Sequence, residues 1–201
     1  MKYSLLKPLP LLIFALLCGC STAQKIPETR YYILSGDQLV NTTTAKVSAD
    51  QIIGLAPLTM AEYLDTESLI VQTAPHRLQL AKHHLWAELP ETAITHALQN
   101  DLNQRLPASR VDSGYAGELA DWVMRLRIQV NQFHGSMDGH AVFQGHWRLE
   151  RARDSQILQA GRFNKQVPLN DSGYDALVAA LRTSISQLSD DLAGVISQRQ
   201  K

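Results

Sequence analysis

The chain has 201 residues, 45% of them hydrophobic, with 19 lysines and arginines balanced by 19 aspartates and glutamates. That length suits one folded body with a proper core, and the even charge argues against a basic nucleic-acid binder. Its two cysteines, Cys18 and Cys20, both lie near the amino terminus, so the remainder forms neither disulfides nor thiolate metal sites and must be stabilised by packing.

Lys2 and Lys7 flank the start of an apolar run over residues 9–17, too short for a transmembrane helix and right for a secretory h-region. Next comes Leu17-Cys18-Gly19-Cys20, a leucine three residues before a cysteine that small glycine immediately precedes. These residues resemble the lipobox of bacterial lipoproteins, in which cleavage frees the cysteine for acylation. The resemblance implies a signal peptide over residues 1–19 and an N-acyl, S-diacylglycerol Cys20 as the new amino terminus. Cys18 is the weaker choice, because bulky Leu16 and Leu17 precede it. At about 0.8 kcal/mol per buried methylene, three acyl chains hold effectively permanently where one holds marginally. Ser21 stands where, by the same resemblance, an aspartate would retain the protein at the inner membrane, which favours the periplasmic face of the outer membrane. The mature chain would keep 182 residues, with 17 basic against 19 acidic ones once Lys2 and Lys7 are lost.

Residues 20–29 are polar, include Pro27 and read as a lipidated tether; residues 21–29 span at most about 30 Å. A single domain is expected over 30–201. Residues 30–34, Arg-Tyr-Tyr-Ile-Leu, are its first strand, stopped by Gly36-Asp37. Residues 41–44 belong to a loop, and residues 51–55 form a second strand ending before Pro57. Residues 59–65 fit a short helical turn. Residues 69–73 and 77–80 suggest a hairpin around Ala74-Pro75-His76. Pro90 and Glu91 then open a helix with Ile94, Ala97, Leu98, Asp101, Leu102 and Leu106 on one face, closed by Pro107. All of that face but Asp101 is apolar.

After a connection through Val111, Ser113-Gly114 and Ala116-Gly117 comes the clearest pattern in the chain. Trp122, Met124, Leu126, Ile128 and Val130 alternate with Arg125, Arg127, Gln129 and Asn131, the period of a half-buried strand. Residues 141–149 form its partner across an Asp138-Gly139 turn, and residues 157–167 a third strand, giving an antiparallel meander with one solvated face. Ser172 and Asp175 fit a capping box, and residues 174–198 a second amphipathic helix. The fold class is α+β, a mainly antiparallel sheet with two amphipathic helices packed on one face.

The search for chemistry is thin. There is no Gly-x-Ser-x-Gly elbow, phosphate loop, His-Glu-x-x-His or dinucleotide fingerprint, so no catalytic residue, metal or dissociable cofactor is assigned. Seven histidines include His83, His84 and His96, and His134, His140 and His146, but a catalytic metal needs three converging ligands and supporting partners. Arg125 and Arg127 have the chemistry to bind phosphate head groups, although a charged row on a wet sheet face is ordinarily solvation. Tyr63, Leu64 and Trp86 lie outside the strongly periodic segments and are candidates for a partner-facing patch, with core packing as the plainer reading.

The lipobox, Tyr31-Tyr32-Ile33-Leu34, Glu62-Tyr63-Leu64-Asp65, Leu85-Trp86-Ala87-Glu88, Asp138-Gly139 with Gly145-His146-Trp147, and Gly173-Tyr174-Asp175 together resemble the ABC-type transport auxiliary lipoproteins, and among them those of intermembrane transport. The resemblance implies a non-catalytic accessory subunit of a lipid transport system. It would sit at the outer membrane, have no catalytic residues, dock a periplasm-spanning MCE-domain protein and form a homo-oligomer. It leans towards systems with a multispanning membrane partner over those with an ABC ATPase. Two other classes remain open: a lipid carrier, which needs a deep apolar cavity between helices and sheet, and a surface hydrolase, which the motif search disfavours.

Overall fold

The computed structural model describes residues 27–34, 52–114 and 122–200. The signal peptide, Cys18, Cys20, most of the tether, the Gly36-Asp37 stop, the loop at 41–44 and Ala116-Gly117 lie outside the described residues. Within them the order is β1 (Arg30–Tyr32), β2 (Ile52–Leu55), β3 (Thr59–Met60), a 3-10 turn (Glu62–Leu64), β4 (Ser68–Ala74), β5 (Arg77–Trp86), α1 (Pro90–Arg105), β6 (Arg110–Ser113), β7 (Met124–Gly135), β8 (His140–Arg151), β9 (Ile157–Pro168) and α2 (Tyr174–Arg199).

The alternating residues of β7 and β8 build the trunk. Leu126 faces Leu149, Ile128 faces Trp147 and Val130 faces Gly145 across the antiparallel ladder, so like side chains share one face. The alternation changes phase at Asn131, where a bulge separates the Val130–Gly145 and Gln132–Gln144 pairs. One extra residue moves the inward positions from even to odd, so that Phe133 joins the core. Phe133, Phe143 and Phe163 then meet in a row across three strands, with centroids 5.4 and 4.8 Å apart. Gly139, at φ 79°, makes the turn into β8, a conformation a Cβ would strain.

The expected mainly antiparallel sheet is mixed. One edge of β7 pairs with β8, and β8 with β9, antiparallel throughout. The other edge takes three short parallel partners in succession: β2 at Met124–Leu126, β3 at Gln129–Val130 and β4 at Gly135. From there the sheet forks, β2 passing to β6 and β4 to β5 and β1. Parallel neighbours require long crossovers, and the segment carrying β3 to β6 and α1 supplies one between β2 and β7. Periodicity reports which face a strand buries and is silent about the direction of its partner.

In α1, Pro90 occupies the first turn and Ile94, Leu98 and Leu102 are fully buried. In α2, Leu177, Leu181, Ile185, Leu188, Leu192 and Ile196 form the buried stripe, each worth about 1.5–3 kcal/mol on full burial. Helix α2 packs on β8 and β9, and α1 packs against α2 and β6. The expected capping box is not formed: the N-cap is Gly173 at φ 99°, without a side-chain cap bond. The glycine takes a turn that a serine at the cap would resist, and Asp175 instead lies 3.9 Å from Arg30 on the surface.

Candidate functional site

The face of the trunk opposite its apolar row carries a cluster of arginines. Register places Arg127 directly opposite Arg148, and Gln129 opposite His146, while β9 adds Ala160 beside Arg148 and Arg162 beside His146. Beneath them Glu150 is buried, its side chain 5% exposed. One of its oxygens accepts a hydrogen bond from Arg127 Nε at 3.1 Å, and the other lies 2.7 Å from Arg148 Nε in an ion pair. One carboxylate thus fixes two guanidiniums by their inner edges. Arg162 has no hydrogen bond or ion pair among the described residues. Arg125, opposite Glu150, lies over the Trp122 ring at 5.9 Å, and His146 Nδ1 is 3.3 Å from Asn131 Nδ2. Arg127, Arg148, Arg162 and His146, with Pro57, Thr59 and Ile157, line an open groove of about 590 Å³.

The suggested partner patch is not a patch. Leu64 and Trp86 are core residues, 2% and 3% exposed, and the Trp86 ring lies against Phe133 at 5.9 Å. Trp86 is buried because β5 runs six residues beyond its expected end to pair with β1. Only Tyr63, 38% exposed, reaches the surface, and its hydroxyl donates to the Asn131 carbonyl at 2.8 Å, satisfying an acceptor at the bulge. Burial raises the Tyr63 hydroxyl above its ordinary pKa.

The histidines are dispersed. His84 bonds the Tyr32 hydroxyl at 2.8 Å and stacks on Tyr174 at 4.0 Å, His96 approaches Glu88 at 3.6 Å, and buried His134 bonds the Gly135 carbonyl. No group of three His, Cys, Asp or Glu among the described residues is placed to hold a metal. No helix among them is long and apolar enough to cross a membrane. Sequence reasoning missed Arg162 and Glu150. Their signal was the position of each on the polar phase of its strand, but only cross-strand register brings them to Arg127.

Residues 32–193 match the model of the ABC-type transport auxiliary lipoprotein component. The chain belongs to that family. It is 26% identical over 182 residues to the intermembrane transport lipoprotein PqiC of Escherichia coli, covering 90% of this chain and 92% of PqiC, and equally similar to PqiC of Shigella flexneri. The crystal structure of an uncharacterized protein, 24% identical, superposes with a TM-score of 0.72 over 85% of this chain and 99% of its own. A Xanthomonas campestris protein, 17% identical, gives 0.65 over 75% and 87%. Both share the fold. The family is one of transport auxiliaries, in keeping with a non-enzymatic reading.

Proposed function

We propose that this chain is the accessory lipoprotein of an intermembrane lipid transport system. Acyl chains on Cys20 anchor it to the inner leaflet of the outer membrane, facing the periplasm. There it docks the periplasm-spanning MCE-domain protein as a homo-oligomer and catalyses nothing. The membrane component at the far end of the system is a multispanning protein. The family match over residues 32–193, extended by likeness to PqiC along 90% of the chain, carries this reading.

Docking is favoured over carriage by the space between helices and sheet. Ile94, Leu98, Leu102, Phe143, Leu149, Ile185 and Leu188 fill it at 0% exposure, where a carrier would keep an apolar cavity. Purification of the tagged full-length protein in mild detergent, with identification of every co-purifying chain and lipid, tests the reading. An MCE-domain protein is the expected partner; a lone protein carrying stoichiometric phospholipid would replace docking with carriage. For the anchor, Cys20→Ala should accumulate as an uncleaved, non-acylated precursor and leave the outer-membrane fraction. Its persistence there would refute lipid anchoring.

A further inference from the structure

We propose that the groove on the outer face of β7–β9 binds the phosphate of an anionic phospholipid headgroup, through Arg127, Arg148 and Arg162. This deepens the proposed function by naming a ligand of the auxiliary subunit itself, and it rests on that reading for the source of the lipid.

The geometry is that of a prepared anion site. Arg127 and Arg148 are directly opposite, and like charges so placed repel. Glu150 offsets part of that repulsion, and its nearest approach to each guanidinium is at Nε. The terminal nitrogens of both guanidiniums donate no hydrogen bond among the described residues, and those of Arg162 are equally uncommitted. Side chains of Arg127 and Arg148 are 43% and 52% exposed, so these donors meet solvent in the groove. With Glu150 buried, the pair plus Arg162 carries a net charge of two positive units. A guanidinium fork matches the oxygens of a phosphate, and holding Nε beforehand reduces the rotamer freedom lost on binding.

Two features select the source. The three arginines occupy two adjacent cross-strand rows, Arg127–Arg148–Ala160 and Gln129–His146–Arg162. So compact a cluster suits one multi-oxygen group better than the spaced carboxylates of an extended acidic peptide. Beside the cations, Ile157 is 57% exposed and Pro57 and Ala160 complete an apolar margin. Free phosphate makes no use of that margin. The glycerol esters and first methylenes of a phospholipid do.

Calorimetric titration of the full-length protein in nonionic detergent tests this, with dihexanoyl phosphatidylglycerol below its micelle concentration as one probe and inorganic phosphate as the other. Saturable lipid binding is expected, at least tenfold weaker in Arg148→Gln/Arg162→Gln, with phosphate alone at least tenfold weaker than the lipid. Should the double variant lose its fold by thermal unfolding, Arg162→Gln alone serves, since this side chain holds no intramolecular bond among the described residues. Unchanged lipid affinity in the variants overturns the proposal, as does phosphate binding as tight as the lipid, which marks a free-anion site. Loss of the co-purifying protein with lipid binding retained also overturns it and makes the groove a protein interface. Loss of lipid binding with the partner retained supports the groove and leaves docking intact, whereas lipid binding without any partner refutes docking alone.

Discussion

Asp101 is the one charged residue on the buried stripe of α1, and its replacement offers a direct test of how the two helices are joined. The residue is 1% exposed, and its carboxylate takes a two-pronged contact from Arg182 of α2, at 2.9 and 2.6 Å. Arg105 Nη1 lies 3.7 Å away and the Ser189 hydroxyl 3.4 Å. Asp101→Ala leaves Arg182 without its anion in a largely buried position, and removing one member of a buried pair costs about 3–5 kcal/mol. Arg182 and Arg105 keep 23% and 22% side-chain exposure, so both can tilt towards water and the lower end, about 3 kcal/mol, applies. At about 2–4 °C per kcal/mol for a body of this size, thermal unfolding followed by circular dichroism should fall by about 6–12 °C. Asp101→Leu/Arg182→Leu removes both charges and fills the space with apolar atoms, an exchange that is often neutral. Arg105 keeps Asp190 and Ser186 in that variant. The double variant should therefore recover most of the loss. A single variant within about 2 °C of the parent, or a double variant as unstable as the single, would refute the account.

Two further substitutions probe local geometry. Tyr63→Phe removes the bond to the Asn131 carbonyl and should cost about 1 kcal/mol in urea unfolding at pH 7. Because the folded hydroxyl's pKa is raised by burial, its contribution is present below the unfolded value near 10 and is lost as pH rises through the folded value; the variant should lose stability less steeply between pH 9 and 11, and an identical slope contradicts the role. Gly54→Ala would place a Cβ 1.8 Å from the Trp122 ring, an overpacking expected to cost about 2 kcal/mol or more. Combined with Trp122→Leu it should be less damaging than the sum of the two single changes, and strict additivity would show that the ring yields without cost.

What was legible in the sequence was what depends on neighbours along the chain. The even-numbered apolar positions up to Val130 gave β7, Asp138-Gly139 gave the turn into β8, and three-and-four spacing gave both helices. What was hidden depends on contacts across the chain. Strand β6 has four residues, too few to show a period, and it exists because β2 pairs with it. The last residues of β5 are a strand through β1 and through a pairing of Leu85 with Ser68 of β4. Leu64 and Trp86, outside any periodic run, were open to a surface reading, and their burial comes from the fork in the sheet. Arg127 was visible as a polar-face residue, but its setting over Glu150 and near Arg162 is a product of register.

Three of the segments that carried the family resemblance, at Tyr32, Ala87 and Tyr174, come together at the beginning of the body. Tyr32 bonds His84, His84 stacks on Tyr174 at the start of α2, and Ala87 N donates to the Tyr32 carbonyl at 2.8 Å. A strand of three residues has little hold of its own, so Tyr32 and Leu34, 8% and 1% exposed, supply the grip by burial. The exposed pair Arg30 and Asp175, 3.9 Å apart, adds little. This clasp stands where residues 21–29 join the body. With Cys20 lipidated as proposed, a tether of at most about 30 Å would keep the clasp, and with it the start of α2, close to the bilayer. Tyr31 and Ile33 alternate with the buried pair and are 66% and 55% exposed, so the edge strand nearest the anchor turns an aromatic and an aliphatic side chain outward, the kind of amphipathic surface that rests at a lipid interface. Given that anchor, the clasp residues would work as a mechanical joint between it and the body, separate from the arginine-lined face of β7–β9.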